Sequence, residues 1–194
     1  MPIRFATAPS NGSVLVQKGL DRLSKRNNPL TRRGVDFGSL QVQQPHAVYD
    51  LRADAVANGG LASATLSGFR YFVQSGSKNV AAAEVHATGA DWLVAHFNYG
   101  PYVEATAQAL TQVAVLEPVK GGSYEVRMLR FSAIALVALW LKSDTGGDDF
   151  IYPVAPVPPG LEAGTLYTED DFLNVITPLA QKRAANTGQN FIVP

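Results

Sequence analysis

The stretch FRYFVQSGSKNVAAAEVHATGADWLVAHFN, residues 69–98, decides the architecture. Residues 69–74 are aromatic and β-branched, as a strand prefers. Ser75-Gly76-Ser77-Lys78-Asn79 has the composition of a turn, residues 80–87 read as a second strand, and Thr88-Gly89-Ala90-Asp91 as a second turn. Residues 92–98 then form a third strand, because Gly89 and Gly100 bracket a run of strand length. Three strands in succession, joined by short turns, make an antiparallel meander.

The pattern recurs on the C-terminal side. Gly100-Pro101 opens a helix reaching about residue 116, whose apolar positions Val103, Ala107 and Leu110 share a face. Strands are expected over 124–130, 133–142 and 150–154, followed by a proline-rich extended passage at 153–160. Thr168 caps a final helix whose Glu169, Asp170 and Asp171 suit its positive N-terminus, and Pro178 is expected to kink or divide it. Upstream of the meander, residues 45–58 read as a helix. Pro45 sits in its first turn, Val48, Leu51 and Ala55 form a stripe, and Asn58-Gly59-Gly60 is a natural stop. A short helix over 13–25, capped by Ser13, carries Val16, Leu20 and Leu23 on one side.

The expected fold is therefore α+β: an antiparallel sheet of five or six strands in two meanders, each followed by a helix. Residues 1–44 form a basic N-terminal arm with one short helix, residues 45–187 a single domain, and residues 188–194 a C-terminal tail. With 194 residues and 46% hydrophobic composition, one sizeable core is within reach.

Residues 133–141, AIALVALWL, are apolar at every position. A strand with one wet face alternates, so both faces of this one must be covered. Helices can cover one face; a second copy of the chain, or the arm, is the expected cover for the other. This predicts a homo-oligomer, and a three-layer monomer would remove the argument.

Cysteine is absent, which excludes disulfides, thiolate metal sites and a cysteine nucleophile. The opening residues lack the apolar run of a signal peptide, and 133–141 is far shorter than the ~20 residues of a membrane helix, so a cytoplasmic chain without a membrane span is expected. No Walker loop, nucleophile elbow, zincin motif or dinucleotide fingerprint occurs, and no cofactor is expected. Asp144, Asp148 and Asp149 do not follow calcium-loop spacing and read as a solvated turn.

One constellation carries possible chemistry. Glu84, His86 and His96 fall on neighbouring strands of one hairpin. If Ala87 pairs with Asp91, the three share a face; if Thr88 pairs with Asp91 around a two-residue turn, His96 lies opposite the other two. Two histidines and a carboxylate suit acid–base work or a divalent metal. The plainer reading is a solvated strand face, and no metal is assigned.

Net charge is zero but unevenly spread: residues 1–40 carry seven basic and two acidic side chains. Arg22, Lys25, Arg26, Arg32 and Arg33 are the candidate binding residues, fitting an acidic protein partner or, less well, nucleic acid, since stacking aromatics are not interleaved. The plainer alternative is that a basic arm folds against an acidic body. The chain thus reads as a self-associating binding or assembly protein, with an enzyme built on Glu84, His86 and His96 as the alternative.

Overall fold

The computed structural model describes residues 3–189. The chain forms a nine-stranded, mostly antiparallel sheet with six helices, so the α+β class holds while the strand count rises beyond five or six. The strands are β1 (Ile3–Phe5), β2 (Leu40–Asp50), β3 (Thr65–Ser75), β4 (Lys78–Thr88), β5 (Asp91–Asn98), β6 (Tyr124–Phe131), β7 (Leu136–Ser143), β8 (Phe150–Val154) and β9 (Tyr167–Thr168). The helices are α1 (Gly12–Ser24), α2 (Pro29–Arg32), α3 (Ala53–Gly59), α4 (Pro101–Val113), α5 (Glu117–Lys120) and α6 (Glu169–Gln189).

The strand order is β5-β4-β3-β2-β6-β7-β8-β9, with β1 also paired to β6. The antiparallel runs β3-β4-β5 and β6-β7-β8 differ in detail from the two meanders expected: their bounds shift and β9 follows β8 at the edge. They are joined into one sheet by β2, which pairs antiparallel with β3 and parallel with β6. That strand replaces the helix expected over 45–58. A proline inside a central strand is tolerated at a bulge, and the β2–β3 register shifts between Val42 and Pro45. His46, Ala47 and Val48 are buried in the sheet, and helix is confined to the seven residues of α3.

The two faces of the sheet are covered from within the chain. On one face, α1 and α2 bring Val16, Leu20 and Leu30 onto Ala47, Phe69, Tyr71, Val73, Ala81, Ala83 and Val85. Farther along the same face, Phe172, Ile176 and Ala180 of α6 and Val56 of α3 pack on Leu129, Phe131, Leu136, Ala138 and Trp140. On the other face α4 runs diagonally, setting Val103 on Phe72 and Ala82, and Ala109 and Val113 on Val126, Leu139 and Leu141. The small residues of α4 allow this close approach.

β7 therefore meets α6 through Leu136, Ala138 and Trp140 and α4 through Leu139 and Leu141. This is a three-layer arrangement, and it accounts for the doubly apolar pattern of 133–141 without a second copy. Residues 132–134 are a 3₁₀ turn rather than strand, and Ala135 follows at φ 53°. The final helix is not divided: α6 runs through Pro178, which is exposed beside an exposed Asn174, so the carbonyl the proline leaves unbonded lies toward water. Residues 188–189 of the expected tail end α6; residues 190–194 lie outside the described residues.

The arm is held by apolar contact and local capping. Asn28 accepts from the backbone N–H groups of Leu30 and Thr31, while the Thr31 hydroxyl accepts from the Asn28 N–H, a reciprocal capping box. The same Asn28 amide donates to the carbonyls of Leu23 and Arg26, tying α1 to α2. The boundary expected at residue 44 falls inside β2.

Candidate functional site

A row of polar side chains crosses four adjacent strands on the α4 face. His46 of β2 is opposite Arg70 of β3, Arg70 is opposite Glu84 of β4, and Glu84 is opposite His96 of β5. The turn after β4 has the two-residue register, Thr88 opposite Asp91, which alone would send His96 to the far face. The register shifts between Glu84 and Val85, leaving Ala95 as an extra residue in β5. This bulge returns His96 to the face of Glu84 and His86. The sequence offered the two registers as alternatives; the bulge combines the second register with the face expected of the first.

Glu84 is the hub, with only 2% of its side chain exposed. Its Oε2 accepts from Arg130 Nη1 at 2.7 Å, and the Nε2 atoms of His86 and His96 lie 3.3 and 3.5 Å from the same oxygen. Its Oε1 accepts from Asn98 Nδ2 at 3.2 Å, with Arg70 Nη1 3.8 Å away. Arg130 also forks onto Asp50, donating from Nε at 2.8 Å and Nη2 at 3.1 Å, and reaches the Ser67 hydroxyl. Burial works against the charge of Arg130, but Asp50 and Glu84 outweigh it and raise its pKa further. Burial has the upper hand at Arg70, whose pKa is lowered despite Glu84.

Glycine makes room for this cluster at one point. A Cβ on Gly68 would sit 2.5 Å from the Val85 carbonyl oxygen and 2.8 Å from the His86 ring. Farther in, His46 is fully buried, tilted against Phe72, with neither ring nitrogen hydrogen-bonded. Burial, and then the charge of Arg70, push its pKa down to about 3, so it is a neutral core histidine. Nε and Nη2 of Arg70 are likewise buried without a hydrogen-bond partner.

Chemically, Glu84 is a buried carboxylate whose two oxygens both already accept hydrogen bonds. Among the described residues no group of three or more acidic or histidine side chains is arranged to hold a metal ion. The histidines are partly exposed, at 30% and 45% of their side chains. If Nε2 carries the hydrogen, His86 donates to Glu84, while His96 stands beside the same oxygen as an ion-pair neighbour. Arg130, Asp50, Asn98 and Gly68 complete the cluster and come from positions that sequence spacing did not single out.

The basic residues of the arm stand apart from this row. Arg22, Lys25, Arg26, Arg32 and Arg33 are exposed, as is Lys18, and none forms an ion pair among the described residues. Lys25, Arg26 and Arg32 rim a shallow hollow between α1 and α2. Only Arg4 reaches acidic groups of the body, pairing with Glu125 and Asp144. The arm therefore docks by its apolar side and leaves its charge outward.

Acidic side chains collect at the opposite edge of the sheet. Asp148, Asp149, Glu169 and Asp170 line a notch beside β8, β9 and the start of α6, where Lys142, the one cation among the described lining residues, pairs with the buried Asp149 at 3.1 Å. No protein-family model matches this chain, no curated protein matches its sequence, and no solved structure matches its fold.

Proposed function

We propose that the chain is a non-enzymatic binding and assembly protein, whose basic arm docks on the acidic β8–β9 edge of a second copy. The observation that carries this reading is the placement of charge: the cations of α1 and α2 form no ion pair among the described residues, and of the notch carboxylates only Asp149 is paired, with Lys142. Helix α1 covers the β5 end of the sheet, β1 and Arg4 of the arm reach β6 and Asp144, and the acidic notch lies at the end opposite α1. At ~4.8 Å per strand the two are roughly 25–35 Å apart. That exceeds the Debye length of about 8 Å at physiological salt, so the outward cations of α1 and the notch of the same chain do not neutralise each other. Each end is free to meet its complement on another molecule. Such head-to-tail contact is heterologous and builds rings or filaments.

Light scattering across a salt series tests it. The expected result is mass above the monomer at low salt, falling to the monomer at high salt. Arg32→Glu with Arg33→Glu should give a monomer at low salt, and mixing that variant with Asp148→Lys/Asp170→Lys should restore association. A monomer at every salt concentration overturns the reading. Salt-sensitive binding of single-stranded DNA in its place would make the arm a nucleic-acid contact.

A second reading rests on the His86 and His96 rings, each placed against a buried carboxylate and each partly open to solvent. It makes them general bases oriented by Glu84. Turnover of activated esters that is lost in both His86→Ala and His96→Ala would support it; equal rates in the parent and both variants would remove it.

A further inference from the structure

We propose that the cavity between the 3₁₀ turn at 132–134, the proline-rich segment 156–159 and α6 binds a small amphipathic anion, an apolar carboxylate. The cavity is ≈ 500 Å³ and is lined by Ile134, Ala135, Val157, three prolines and Leu179, with Lys182 and Arg183 on the α6 side. That volume lies within the range of small-molecule sites, roughly 300–1,000 Å³.

The chemistry of the walls selects the ligand. Pro156, Pro158 and Pro159 have no backbone N–H, so this side offers no donors at those positions and has a preset backbone. The N–H of Ala135 is already given to the Ser132 carbonyl. Among the described residues, the only side-chain donors lining the cavity are those of Lys182 and Arg183, both cationic. Proline, valine, isoleucine and leucine side chains offer a ligand's polar groups no partner, so polar recognition on this side is confined to backbone carbonyls. A ligand with an apolar body and one anionic head matches both walls. Lys182 is exposed and forms no ion pair among the described residues, so its charge is available to that head.

A second observation marks the same place. Ala135 is the only non-glycine residue with positive φ among the described residues, at φ 53°, and it lines this cavity. A left-handed backbone is disfavoured for alanine, whose Cβ crowds the following carbonyl oxygen. Backbone strain of this kind gathers at ligand sites, where the surrounding structure holds it. Here the turn lets β7 start with Leu136 in the core while Ala135 faces the cavity.

The experiment is titration of the full-length chain with decanoate, below its micelle concentration, by calorimetry and by amide NMR. Decanol, with the same tail and no charge, is titrated in parallel. The expected result is saturable decanoate binding that shifts the amides of Ala135, Val157 and Leu179, with decanol at least about tenfold weaker. Lys182→Glu, on an exposed helical position, should fold normally and weaken decanoate about tenfold without changing decanol. Equal affinity for the two probes, binding insensitive to Lys182→Glu, shifts elsewhere in the chain, or no saturable binding would each overturn the proposal.

Discussion

Arg130 Nη1 lies 2.7 Å from Glu84 Oε2, although β6 and β4 are separated in the sheet by β2 and β3. The side chain reaches across both intervening strands and is steadied on the way by Asp50 of β2 and the Ser67 hydroxyl of β3. One side chain thereby links the two meanders on the face that α4 leaves partly open. The cluster couples the halves of the molecule laterally, in addition to the β2–β6 ladder.

Removing the hub should be costly. Glu84→Ala leaves Arg130 and Arg70 without the carboxylate between them, and breaking a buried ion pair from one side costs about 3–5 kcal/mol. Urea unfolding should show the midpoint falling with little change in slope.

His46 gives stability a pH dependence of known sign. Its folded pKa of about 3 lies below the ordinary histidine value of 6.5, so the unfolded chain binds the proton more readily. The contribution is complete above pH ~6.5 and is lost progressively as pH falls toward 3. Between pH 7 and pH 5 the loss assigned to His46 is about 2 kcal/mol. His46→Leu, which removes both unpartnered nitrogens, should lose that much less than the parent protein over the same interval, as read by urea unfolding at the two pH values.

Gly68→Ala tests the packing between β3 and β4. Its new methyl would press on backbone at Val85, which cannot swing away as a side chain can, and on the His86 ring. A destabilisation of about 1–3 kcal/mol is expected, together with a shift of the His86 ring resonances.

The arm belongs to the core. Leu20 is 1% exposed, against the β3–β5 face, so Leu20→Ala should cost about 2–5 kcal/mol in global unfolding. An independently fraying arm would instead leave the main transition unmoved.

The strands of both meanders were readable because each is short, bounded by turn residues and rich in β-branched or aromatic side chains. β2 was not. Pro45 resembles the first turn of a helix, Asn58-Gly59-Gly60 resembles its stop, and the glutamines at 41, 43 and 44 blur the alternation before the bulge. Its identity depends on neighbours on both sides, one of them β6, remote in sequence. The same holds for the site. Glu84, His86 and His96 are close along the chain and could be named together, whereas Arg130 and Asp50 arrive through long-range pairing. The bulge at Ala95 has no residue signature, since any small residue could be the extra one. The exposed arm cations were legible as charge, but their freedom from ion pairs depends on which side of α1 the core takes.

The parallel pairing of β2 with β6 also sets an order of events during synthesis. β3 follows β2 closely and can pair with it early, but the opposite edge of β2 has no partner until residues 127–130 have been made. About eighty residues intervene, which at ~5–20 residues per second is roughly 4–16 s on the ribosome. For that interval a long central strand presents an open edge, of the kind that pairs with other chains. The growing polypeptide is thus more exposed to misassembly than the finished molecule, in which the same edge lies in the middle of the sheet.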